Sequence, residues 1–71
     1  MASSARLLVR NIVQKRYYVI FPDGNSIDVW ADYAQDNGIK VEFCNSVIDD
    51  GPDRVVATYY HKDIRSWSKY A

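Results

Sequence analysis

Three clusters of turn-forming residues divide this chain, and the segments between them alternate apolar and polar side chains. Pro22-Asp23-Gly24-Asn25 is the first cluster. Its proline presets φ and its glycine supplies a positive φ. Asp36-Asn37-Gly38 is the second, and Asn-Gly is the favoured pair of a tight hairpin. Asp49-Asp50-Gly51-Pro52-Asp53 reads as a third, longer loop.

The segments between these clusters carry a period of two. Residues 6–13, RLLVRNIV, read as a strand. Residues 15–21 place Tyr17, Val19 and Phe21 on one face and Tyr18 and Ile20 on the other. Residues 39–47 set Ile39, Val41, Phe43 and Val47 against Lys40, Glu42, Cys44 and Ser46. Residues 54–61, RVVATYYH, give another strand, and the tail from Asp63 to Tyr70 fits a short last strand or a helical turn. Residues 26–36 fit two patterns. As a strand they point Ile27, Val29, Ala31 and Tyr33 inward and Asp28, Trp30 and Asp32 outward. As a helix they gather Asp28, Asp32, Gln35 and Asp36 on a polar face, with Ser26 as N-cap and Gly38 at C′. Val, Ile, Tyr and Trp lower helix propensity and favour the strand. The expected fold is therefore all-β, an antiparallel meander of five or six strands curled into a roll or barrel-like sheet. The alternative is an α+β domain of order ββαββ with a helix at about 26–36.

Seventy-one residues make a single small domain spanning 1–71. A hydrophobic fraction of 48% and ten Trp, Phe and Tyr side chains argue against disorder. A chain this short buries only about 60% of its unfolded surface, so self-association is expected to add to its stability. Cys44 is the lone cysteine, which excludes an internal disulfide and suits a reducing compartment. The apolar stretch near the N-terminus is interrupted by Arg6, Arg10 and Asn11, unlike a signal peptide. No run approaches the roughly 20 apolar residues of a membrane span. A cytoplasmic location and no membrane association are the expectation, in the host cytoplasm if the protein is viral.

Formal net charge is zero, but its distribution is uneven. Arg6, Arg10, Lys15 and Arg16 occupy residues 1–16 without an acid, residues 23–53 hold eight acids against Lys40, and the end turns basic again. Such runs are ordinarily solvated faces. Neutrality removes a bulk electrostatic case for nucleic acid.

The set Tyr18-Val19-Ile20-Phe21, Asp23-Gly24, Ile27, Ala31-Asp32, Gly38, Val41, Phe43, Val55-Val56-Ala57 and Ser66-Trp67 resembles small, uncharacterised β-rich proteins common in tailed bacteriophages and prophages. The resemblance covers about residues 17–68 and rests on short apolar and turn-like elements. Residues 1–16 and the Asp49–Asp53 loop depart from it. It implies a β-rich fold and a viral origin, and it transfers no functional residue.

Catalytic chemistry has few parts to draw on. Cys44, His61 and Asp63 are the only candidates for a nucleophile, base and orienting group. A lone cysteine among apolar neighbours is ordinarily a packing residue. One His and one Cys make no zinc spacing, and the Asp49–Asp53 loop lacks the length and closing Glu of the common calcium loop. Gly24, Gly38 and Gly51 stand apart, so no phosphate-cradling loop is present. No enzyme activity, metal or cofactor is expected.

The aromatic residues remain. Strand alternation sends Trp30 away from Ile27, Val29 and Ala31, separates Tyr18 and Tyr60 from Tyr17 and Tyr59, and sets Trp67 between Arg65 and Lys69. Exposed large aromatics mark recognition surfaces, although closure of a roll would bury them instead. Trp30, Tyr60, Arg65 and Trp67 are the expected contact surface. The expected function is a protein–protein interaction module with a protein partner and, if the protein is viral, a phage-encoded modulator of a host system. An oligomeric binder of a nucleotide-like anion, using Arg10, Arg16, Arg54 or Arg65, is the alternative. Single-stranded nucleic-acid binding on a sheet face is a further one.

Overall fold

The computed structural model describes residues 14–46 and 51–70. These form six strands, β1 (Lys15–Ile20), β2 (Ser26–Ala31), β3 (Tyr33–Asp36), β4 (Lys40–Asn45), β5 (Arg54–Tyr60) and β6 (Ser66–Lys69), with one 3-10 turn at His61–Asp63. The all-β expectation holds, and no α-helix occurs among the described residues. The alternative helix over residues 26–36 is replaced by β2 and β3. The expected strand over residues 6–13 lies outside the described residues, as do Val47, Asp49 and Asp50.

The strands form two antiparallel three-stranded sheets, ordered β2-β1-β6 and β3-β4-β5. The sheets face each other and do not close into a barrel. β1 and β2 form a hairpin around the predicted first turn, where the Gly24 N–H donates to the Phe21 carbonyl at 2.9 Å and Gly24 takes φ +92°. β3 and β4 form a second hairpin around Asn37-Gly38. Gly38 has φ +90°, its N–H donates to Asp36 Oδ1, and the Ile39 and Lys40 N–H groups donate to Asn37 Oδ1. The short polar side chains supply turn acceptors that no strand could. Ile39 falls in this turn and is exposed rather than aligned with Val41 and Phe43.

The core lies between the inner faces. Val19, Val41, Phe43 and Ala31 are fully buried, with Tyr17, Val29 and Ile64 beside them. Phe43 sits at its centre. Its ring centroid lies 5.1 Å from Tyr17, 5.7 Å from Trp67 and 6.2 Å from Tyr59. Tilted and edge-on ring packing of this kind adds to the gain from area burial. Burial, and secondarily the nearby Asp32 carboxylate, raise the pKa of the Tyr17 hydroxyl.

Residues 26–36 are not the single straight strand that alternation suggested. The chain leaves one sheet at Ala31 and enters the other at Tyr33, and Asp32 is the corner. The expectation that Asp32 points to solvent is overturned, for it is only 4% exposed. Its N–H donates to the Cys44 carbonyl at 2.9 Å, and its Oδ2 accepts the Ser46 N–H at 2.8 Å. A sheet switch exposes backbone groups that have no ladder partner, and a short carboxylate can satisfy one of them. Lys15 Nζ donates to the Asp32 carbonyl, and Gln14 Nε2 donates to Asn45 Oδ1 beside it. The corner also shifts the alternation by one residue. Ala34, opposite Phe43, packs against the core, whereas Tyr33, expected inward, lies over Cys44 on the outer face. Cys44 is thereby buried, and a bulge between Phe43 and Cys44 offsets β5 there.

Candidate functional site: the outer face of the first sheet

Register sets the side chains of this face in rows. Arg16 on β1 lies opposite Trp30 on β2, and the Tyr70 N–H donates to the Arg16 carbonyl on the other side. The next row is Asp28, Tyr18 and Ser68, and the last is Ser26, Ile20 and Ser66.

The first two rows form one cluster. The Arg16 guanidinium carbon lies 4.3 Å from the Tyr70 ring centroid and 5.7 Å from that of Trp30. A guanidinium over ring faces is held by the ring quadrupoles. Arg16 Nε and Nη2 both donate to Asp28 Oδ2, the latter at 2.6 Å. Tyr70 donates its hydroxyl to Asp28 Oδ1 at 3.1 Å and packs edge-on against Tyr18 at 4.9 Å. The Asp28 carboxyl is lowered below its ordinary range, chiefly by the Arg16 hydrogen bond, and the Arg16 guanidinium is raised in return. The Tyr70 hydroxyl is raised because it donates to that same carboxylate. Trp30 remains 55% exposed and Tyr70 41% exposed, and the Trp30 indole N–H makes no hydrogen bond to a described residue. The cluster is thus a hydrogen-bonded aromatic platform whose one cation is neutralised in place.

The four residues singled out from sequence do not share a surface. Trp30 is at the edge of this platform. Tyr60 is exposed on the outer face of the other sheet, opposite Lys40, whose Nζ lies 5.8 Å from its ring. Arg65 is exposed between the 3-10 turn and β6, with Nη2 donating to the Pro22 carbonyl at 3.2 Å. Trp67 turns inward, because it pairs with the buried Val19 and packs on Phe43 and Tyr17.

Sequence reasoning missed the cluster that Arg16, Asp28 and Tyr70 form beside Trp30. The hairpin carried part of that signal. Arg16 and Trp30 are equidistant from Asp23, the middle of the first turn, so the turn itself places them side by side. Tyr70 arrives through β6, whose pairing with β1 is remote in sequence and left no local mark.

A second polar cluster ties the sheets together. Asp36 at the end of β3 accepts from the Gly38 N–H, contacts His61 Nε2 through Oδ1 at 2.9 Å, and accepts from Trp67 Nε1 through Oδ2 at 2.9 Å. These three bonds, the backbone one first, hold the Asp36 carboxyl down at about 2. His61 therefore sits with Asp36 and not with Cys44. Residues 39 and 61 are joined by a backbone hydrogen bond, whereas Cys44 pairs with Val55 at the far end of β4. Asp63 is exposed in the 3-10 turn. No group of three His, Cys, Asp or Glu that could hold a metal occurs among the described residues. Among them no helix is long and apolar enough to cross a membrane.

Comparison of the chain with protein-family models, curated proteins and solved structures finds no match.

Proposed function

We propose that the protein is a non-enzymatic protein-interaction module and that the outer face of the β2-β1-β6 sheet is its contact surface. The carrying observation is the exposed Trp30–Arg16–Tyr70 row with its charge cancelled by Asp28. Interface hot spots are enriched in Trp, Tyr and Arg. Pre-ordered side chains also lose less entropy on binding. Tyr60 and Arg65 lie outside this surface, and Trp67 supports it from within.

The anion-binding alternative draws less support from these placements. Arg16 is engaged by Asp28 and Arg65 by the Pro22 carbonyl, and Arg54 begins a strand of the other sheet. Arg10 lies outside the described residues. Nucleic-acid binding meets the same difficulty, since a neutralised guanidinium releases few counterions.

The test is site-specific photo-crosslinking in cells that make the full chain. A crosslinker at Ser68, on this face, is compared with one at Thr58, on the outer face of the other sheet. Discrete protein adducts from Ser68 that Trp30→Ala abolishes are expected. Equal labelling from both positions, or adducts indifferent to Trp30→Ala, refutes the assignment.

A further inference from the structure

We infer that the segment recognised by this face is an extended, proline-rich stretch of the partner, lying across the strands from Trp30 to Tyr70. The inference rests on the reading of the face as a protein contact surface and specifies its ligand chemistry.

Spacing is the first reason. Trp30 and Tyr70 flank Arg16 from the two strand directions next to β1. Two inter-strand steps at about 4.8 Å each separate their backbones by roughly 9–10 Å. A polyproline II helix repeats every three residues at ~3.1 Å rise, or about 9.3 Å per turn. Residues i and i+3 of such a segment would meet the Trp30 and Tyr70 rings in succession, with the Arg16 plane beneath the residues between. A helix could span this row with its i and i+7 side chains, about 10.5 Å apart, but its carbonyls are spent on internal hydrogen bonds and leave the Trp30 donor unanswered. An added β-strand would pair along an open edge rather than cross the face.

Hydrogen-bond inventory is the second reason. The Tyr70 hydroxyl is spent on Asp28, while the Trp30 indole N–H has no described partner. The surface therefore offers ring faces and one uncommitted donor. A polyproline II segment makes no internal hydrogen bonds, so its carbonyls can accept from that donor. Its pyrrolidine rings pack on aromatic faces, and its stiffness lowers the ordering cost of binding.

Charge is the third reason. Arg16 and Asp28 cancel at 2.6 Å, leaving a patch without a net demand for phosphate or carboxylate. A largely uncharged, ring-bearing ligand fits that balance.

The test is titration of the full chain with a blocked ten-residue L-proline peptide, followed by tryptophan emission and by amide chemical shifts. Trp30 reports directly. Trp67, bonded to Asp36 and packed on Phe43, serves as the internal reference. Saturable binding is expected, weakened about tenfold or more by Trp30→Ala or Tyr70→Ala. Tyr60→Ala, on the other sheet, is expected to stay within about threefold of the parent. No saturation up to several millimolar peptide, or equal affinity after Trp30→Ala, overturns the inference. So does stronger, salt-sensitive binding of oligo-dT through the same residues. If decaproline fails while the Trp30-dependent crosslinks from Ser68 persist, the contact surface stands and its ligand class is wrong. If both fail, the surface assignment falls with it.

Discussion

Two aspartates do different work in this small domain, and each has a separate signature. Asp36 gathers donors from the second turn, from His61 and from Trp67, and so joins the two sheets. Its folded carboxyl titrates at about 2 against an ordinary 3.8. A depressed folded pKa means a contribution fully present above about pH 4 and lost as the pH falls toward 2. Melting temperature measured from pH 5 to pH 1.5 is therefore expected to fall less steeply in Asp36→Asn than in the parent. Asp28, also lowered, acts in both proteins, so the difference isolates Asp36. Parallel curves would mean that the bonds to Asp36 carry no linkage. Asp32 is instead a buried backbone partner at the sheet switch. Asp32→Ala leaves the Ser46 N–H without this acceptor and is expected to cost about 1–3 kcal/mol, read from the denaturant midpoint at constant m-value.

At the scale of elements, the two hairpins were legible because their turns have residue-specific chemistry. Gly38 holds φ +90° with open space around its α-carbon, so any cost of adding a methyl is conformational rather than steric. Gly38→Ala is expected to destabilise by about 1–2 kcal/mol in equilibrium unfolding. Neutral behaviour would show that the turn relaxes to a negative φ. Alternation in β1 correctly separated Tyr17 and Val19 from Tyr18. It failed at residues 26–36 because hydropathy records only the side of a strand a residue faces. It carries nothing about a chain that changes sheets, where Asp32 is buried to serve the backbone and Tyr33 inherits the opposite face. Trp67 was misplaced for a related reason. In a four-residue strand the facing is decided by its partner, Val19, and that partner lies far away in sequence. The Arg16–Trp30 pairing was within reach of the first turn, and the Tyr70 contribution was not.

For the whole molecule, one ring organises the core. Phe43 touches Tyr17, Tyr59 and Trp67, which come from strands of both sheets. Phe43→Ala is expected to cost about 3–5 kcal/mol, a large share of the stability of a domain this size. Loss of near-UV circular dichroism at room temperature would report it. Ile27, Ile39, Val55 and Val56 remain exposed, and these apolar side chains are available for self-association. If copies associate through them, the melting temperature rises with protein concentration. A melting temperature constant over a hundredfold range would mark the folded unit as a monomer.

The pairing of β1 with β6 sets an order of events in time. β3, β4 and β5 follow one another in the chain and pair as neighbours, and β1 with β2 is a local hairpin. Tyr17 and Lys69, by contrast, must find each other across most of the polypeptide. Closing so long a loop costs more entropy than forming the local hairpins, which places this pairing late. The platform row that carries Tyr70 is consequently expected to be the last part of the molecule to assemble. Substitutions in β6 should then accelerate unfolding while leaving the refolding rate nearly unchanged, with φ-values near zero. Until that closing step Trp30 and Arg16 stand without Tyr70, and recognition through the full row begins only when the last contact has formed.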